Sequence, residues 1–223
     1  MRRFFILLCA TWATHSATLA AGEGPSLRFL AERAPENLGE VLLAVGDKLT
    51  PPFALSSERL SDPIPAPARK VELRLKDKPL VLAEIVLPEL GSAFIVLLIP
   101  DPKGGFLPVI IRADDVNFKG GDVYFYNHTP KPVLGYVGTA KFMLKPEEGK
   151  LLRPAGAKEE TYYDVGFGVR EAEGDRVMRT LRWPVLTRSR SYVFFYQNPV
   201  KNRIDFRAVD EFVAPQAEVQ PSP

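Results

Sequence analysis

The chain has 223 residues, 46% of them hydrophobic and 25% charged, with 29 lysines and arginines against 27 aspartates and glutamates. A formal net charge of +2 is too small to draw nucleic acid or an anionic membrane as a general partner, so any electrostatic recognition must be local. Cys9 is the one cysteine, and His15 and His128 are the two histidines, a supply too thin for a disulfide framework or for zinc sites of the usual cysteine or multi-histidine kind.

The amino terminus reads as a secretory leader. Arg2 and Arg3 precede an apolar run from Phe4 to Ala13, and small and polar residues follow from Thr14 to Gly22. The run is far shorter than the roughly 20 residues that cross a bilayer. No later run is long enough either, so no integral membrane segment is expected. Thr18 and Ala20 suit the third and first positions before a signal-peptidase cut, which gives residues 1–20 as the signal peptide, with cleavage after Gly22 as the alternative. Leu8 is too large for a lipoprotein box at Cys9, and Arg2-Arg3 lacks the polar lead of a twin-arginine signal. A chain of about 200 residues without cysteine, stabilised by its core alone, is expected in a bacterial periplasm or outside the cell.

Taken in order, residues 26–33 fit a short helix by Leu27, Leu30 and Ala31 on one face, but Leu27 and Phe29 also alternate, and a strand is the preferred reading. Residues 50–69 carry Pro51, Pro52, Pro63, Pro65 and Pro67 and predict an extended surface connection with one short strand near 53–55. Val71, Leu73 and Leu75 alternate with charges, the pattern of a half-buried strand. Further apolar or alternating runs lie at 80–87, 93–99, 107–112, 123–127, 133–137, 141–144, 161–169, 177–185, 192–197 and 203–209, separated by turn residues such as those at 100–105, 119–122 and 147–149. From Ala214 the chain is proline-rich and aperiodic, so 214–223 is expected to be a disordered tail.

A weak internal repeat organises these strands. Residues 93–99 lead through a turn to 109–118, and 191–196 lead through a turn to 204–212; both pairs close with Arg-Ala, acidic residues and a phenylalanine, Phe118 or Phe212. The expected fold is all-β, two tandem antiparallel β-sandwich domains of immunoglobulin-like type, at 21–117 and 118–213.

In the second half, Val123-Tyr124-Phe125-Tyr126-Asn127-His128-Thr129-Pro130 ends a strand in an asparagine-bearing turn. Val133-Leu134-Gly135-Tyr136-Val137-Gly138 and Leu144-Lys145-Pro146-Glu147-Glu148-Gly149 follow. With these residues the half resembles exported bacterial β-sandwich proteins of unknown function. The resemblance rests on turn chemistry, implies the fold, and implies no activity.

Candidate sites are few. His128 would have to supply any histidine-dependent step, and its place in a hairpin turn reads as an exposed turn residue. Asp114, Asp115 and Asn117 are the nearest approach to a calcium cluster, but strand neighbours point to opposite faces, so no metal site is expected. Glu147-Glu148 and Glu159-Glu160 are carboxylate pairs that glycoside hydrolysis would need, and they read as solvated loops. Gly166-Phe167-Gly168 lacks the helix of a nucleotide-binding turn and reads as a bulge or close packing. Between Arg179 and Arg207 there are seven positive charges against the single acid Asp205. Aromatic residues interleave with them, so Arg179, Arg182, Trp183, Arg188, Arg190, Tyr192, Arg203 and Arg207 form the candidate binding set, for an anionic glycan or another envelope component. The opposing reading makes the arginines the solvated faces of strands whose aromatics form the core, with Trp183 a core or interface residue. The chain is therefore read as an exported, non-catalytic envelope protein without a cofactor, a structural or protein-interaction module. The alternatives are an anionic-polymer binding module and, third, a carboxylate-dependent hydrolase.

Overall fold

The computed structural model describes residues 24–198 and 201–213; the expected leader and tail lie outside the described residues. The described chain is all-β. The first half holds β1 (Ser26–Ala31), β2 (Glu40–Val45), β3 (Lys48–Leu49), β4 (Phe53–Ala54), β5 (Ile64–Pro65), β6 (Lys70–Leu75), β7 (Val81–Val86), β8 (Ala93–Pro100) and β9 (Phe106–Arg112). The second holds β10 (Val123–His128), β11 (Val133–Val137), β12 (Ala140–Leu144), β13 (Gly149–Leu152), β14 (Tyr162–Glu171), β15 (Gly174–Pro184), β16 (Ser189–Asn198) and β17 (Arg203–Phe212). No helix among the described residues is long and apolar enough to cross a membrane.

The strands form four sheets, two per half, and the two halves use the same order. The inner sheets run β5-β1-β8-β9 and β13-β10-β16-β17; the outer sheets run β3-β2-β6-β7, with β4 also on β2, and β12-β11-β14-β15. One sheet pairing departs from the antiparallel expectation in each half, since β1 lies parallel to β8 and β10 parallel to β16. The physical reason is the path: the chain leaves for the outer sheet and returns twice, first to the antiparallel edge strand β5 or β13 and then, after the β6–β7 or β14–β15 hairpin, to β8 or β16 in its original direction.

Three apolar layers hold the sheets face to face. Phe94, Val96 and Leu98 of β8 point into the layer shared with the first outer sheet, with Leu27, Phe29, Leu43 and Leu73. The intervening Ile95, Leu97 and Ile99 point the other way, into a layer shared with Tyr126, Tyr192 and Phe194 of the second half. Val193 and Phe195 then face Phe125, Phe142 and Phe167 in the third layer. This double burial explains why β8 and β16 are near-continuous apolar runs, whereas β6 alternates. Each such side chain contributes about 1.5–3 kcal/mol by leaving water.

Several elements were not anticipated. The run Val41–Val45 is a buried strand, and the proline-rich connection contributes β5 at an edge as well as buried Leu60 and Ala66. Pro65 is tolerated there because β5 is the outermost strand of its sheet.

Candidate functional site

The eight candidate residues separate into two places. Arg190, Tyr192 and Arg207 lie in the seam between the inner sheets. Arg190 is 9% exposed and Tyr192 fully buried. The seam is built around Glu211, whose Oε1 accepts from Arg28 Nη1 at 2.7 Å and whose Oε2 accepts the Tyr192 hydroxyl at 2.7 Å. Arg190 Nε faces the same carboxylate at 3.3 Å without a hydrogen bond, while its Nη1 donates to the Ala113 carbonyl at 2.6 Å and its guanidinium lies 4.7 Å from the Phe118 ring centre. Burial, with the Glu211 charge added, pushes the Tyr192 hydroxyl above its ordinary range. Arg207 Nη1 donates to the Glu32 and Ser57 carbonyls. Four chain segments are thereby tied together, since residues 28–32, Ser57, the 113–118 connection and the β16–β17 hairpin all meet here.

His128 belongs to the same seam and is not the exposed turn residue expected. It ends β10 half-buried, with Nδ1 2.7 Å from Oε2 of buried Glu32 and Nε2 3.9 Å from Glu147. The hydrogen bond to Glu32 raises its pKa above the ordinary 6.5, outweighing burial, which lowers it. Glu147 is held in turn by the Tyr126 hydroxyl at 2.7 Å. Beside it, Asn127 is buried and donates to the carbonyls of Lys131, Leu144 and Lys145, which fixes the turn that carries His128.

The remaining five are spread over the second half, four of them exposed. Arg188 is exposed in the β15–β16 turn, beside a cleft of about 560 Å³ at the junction of the halves that Lys119 and Arg190 also line. Arg182 lies over the Tyr162 ring and 3.7 Å from Asp164. Trp183 is half-buried, edge-on to Phe167 at 5.6 Å. Arg179 and Arg203 are exposed and line one cleft of about 130 Å³ between β15 and β17, together with Arg176, Met178, Asp205 and Phe206.

The other sequence candidates are structural in placement. Asp114 accepts from the Ser92 amide and hydroxyl and from Arg112; burial acts upward, but these bonds outweigh it and hold the carboxyl down at about 2. Asp115 caps the Asn117 amide. Glu147, Glu159 and Glu160 occupy left-handed turn positions. Gly166 lies under the Tyr136 ring, 2.4 Å from where a Cβ would stand, and the register of β14 shifts between Phe167 and Gly168. The residues missed by sequence reading, Arg28, Glu32 and Glu211, are charges inside apolar strand patterns. A charge on the core-facing phase of a strand is the available clue. No protein-family model matches the chain, and no curated protein matches it.

Proposed function

We propose that the chain is an exported, non-catalytic envelope protein, a structural or protein-interaction module built of two tandem immunoglobulin-like β-sandwich domains, 21–117 and 118–213. The place-for-place correspondence of the two sets of strand orders carries the reading. A duplicated unit fused through a buried seam is a rigid support, and rigid supports present loops and edge strands to partners at fixed spacing. The leader pattern at residues 1–20 supports export to the bacterial periplasm or beyond.

The test is to express the full chain with a carboxyl-terminal tag in a Gram-negative bacterium, fractionate the cells, and crosslink before capture. The reading expects a protein shortened by its first 20 or so residues, recovered outside the cytoplasm and crosslinked to one envelope protein. An unprocessed chain confined to the cytoplasm overturns it. A second reading, an anionic-polymer binding module, draws support from Arg188, exposed beside the junction cleft, and from Arg179 and Arg203. Retention on an immobilised acidic polysaccharide that Arg188→Glu abolishes would favour it.

A further inference from the structure

The two halves differ at one pair of corresponding positions. Both outer hairpins carry a β-bulge at the same place: Leu73 pairs with Ala83 and Arg74 with Val81, which leaves Leu82 extra, and Phe167 pairs with Arg179 and Gly168 with Val177, which leaves Met178 extra. Ala83 thus corresponds to Arg179. Phe106 shares the core-facing phase of β9 with Ile110, and the residue in that phase at the start of β17 is buried Ile204, with Arg203 just before it. In the first half Ala83 and Phe106 are buried and the edge is shut: β7 lies along β9, and a Cβ at Gly105 would stand 2.3 Å from the Leu82 carbonyl oxygen. In the second half the position of Ala83 holds exposed Arg179, and Arg203, exposed beside buried Ile204, lines the same cleft.

Among the described residues no strand pairs with β15 along that edge, since it is the last strand of its sheet. Val185 N–H donates to the Thr161 carbonyl, so by alternation Trp183, Leu181 and Arg179 turn their amides to β14 while Arg182 and Thr180 turn theirs outward. Pro184, which lacks an N–H, stands at the next outward place and ends the edge. On the side facing the cleft the same strand presents Arg176, Arg179, Leu181 and Trp183, charged at one end and apolar at the other. Arg176 is paired with Glu171 at 3.3 Å and Arg203 reaches Asp205 only at 3.9 Å, while Arg179 makes no ion pair with any described residue.

We propose that the outer edge of β15 accepts an extended acidic peptide segment of another protein, its carboxylates held by Arg179 and Arg203 and its apolar side chains laid beside Leu181 and Trp183. Main-chain hydrogen bonds would supply affinity and the alternate side chains specificity. Inward-set charges on an edge strand ordinarily repel stray strands. Here the same arginines exclude a second copy of β15, which would bring guanidinium against guanidinium, and select a strand of opposite charge. About six residues, roughly 20 Å of strand, are available from Val177 to Arg182.

The inference rests on the interaction-module reading and fails separately from it. The test uses the chain from residue 21 onward and fluorescein-labelled ten-residue peptides of alternating valine and threonine, with two glutamates at either the amino or the carboxyl end. Anisotropy should show that one of the two binds. Arg179→Glu with Arg203→Glu should weaken it at least about tenfold and create binding of the matching lysine-ended peptide, since charge complementarity is inverted. Both side chains are exposed, so the melting temperature should hold. Methylating alternate backbone amides of the peptide should also cost at least about tenfold, because the ladder bonds are lost. The inference is overturned if neither peptide binds, if charge reversal leaves binding unchanged, or if a heparin fragment binds at these arginines while both peptides fail. An envelope partner still crosslinked in that event leaves the wider reading standing and removes the edge alone.

Discussion

The two halves share a strand order, a bulge in the outer hairpin and a left-handed residue just before the last strand, Gly105 in one and Asn202 in the other. They part company at the edge where the outer and inner sheets meet. There the first half sets Leu82, Ala83 and Phe106 into its apolar layer, and the second sets Met178, Arg179 and Arg203 around a cleft. Inward alternation of apolar residues is enough to hold both halves to one topology, because each strand has a buried face that a one-residue slip would expose. The last strand of a sheet, with one neighbour instead of two, carries less of that constraint and is free to take on chemistry.

That contrast orders the expected effects of substitution. Phe194→Ala removes a ring from the seam that both halves share and should cost about 3–5 kcal/mol in urea unfolding. Gly105→Val drives a side chain against the Leu82 carbonyl at the closed edge and should cost about 1–3 kcal/mol. His128 should give the seam a pH dependence. Its pKa is raised in the folded chain, so its stabilising effect is complete below 6.5 and is lost as pH rises through the raised folded value. The wild type should therefore gain stability from pH 8 to pH 6 relative to His128→Gln, as read by paired melting curves. Smallest of all, Val177→Thr on the open edge should change stability by no more than about 0.5 kcal/mol, since the side chain is 73% exposed.

Much of this fold was legible in the sequence, because period-two alternation and turn residues report directly on half-buried strands. β6, with Val71 and Leu73 inward and charges between, is the clearest case. The parallel pairing of β1 with β8 was not legible, since an apolar run such as Ala93–Pro100 says that both faces are covered without saying by what. The arginine set was legible as a composition and illegible as a place. Arg203 and Arg207 stand on the same face of β17, yet Arg207 reaches the Glu32 carbonyl in the seam while Arg203, at the end of the strand, lines the cleft at the open edge. Which face of β16 and β17 meets another sheet depends on the stacking of the halves, a long-range matter that local pattern does not encode. His128 was misread for the same reason, because its partner Glu32 lies 96 residues away.

The buried seam should make the two halves one cooperative unit, and Trp183 gives a direct probe of it. In the chain from residue 21 onward Trp183 is the sole tryptophan, and it sits in the third apolar layer, so its fluorescence reports the second half while far-ultraviolet circular dichroism reports both. Urea unfolding followed by the two signals should give superimposable curves in the wild type. In Glu211→Ala, which leaves Arg28 and Arg190 without their buried carboxylate at a cost of about 3–5 kcal/mol, the curves should separate. Separate transitions in the wild type itself would mean that the halves unfold independently and that the seam does not couple them.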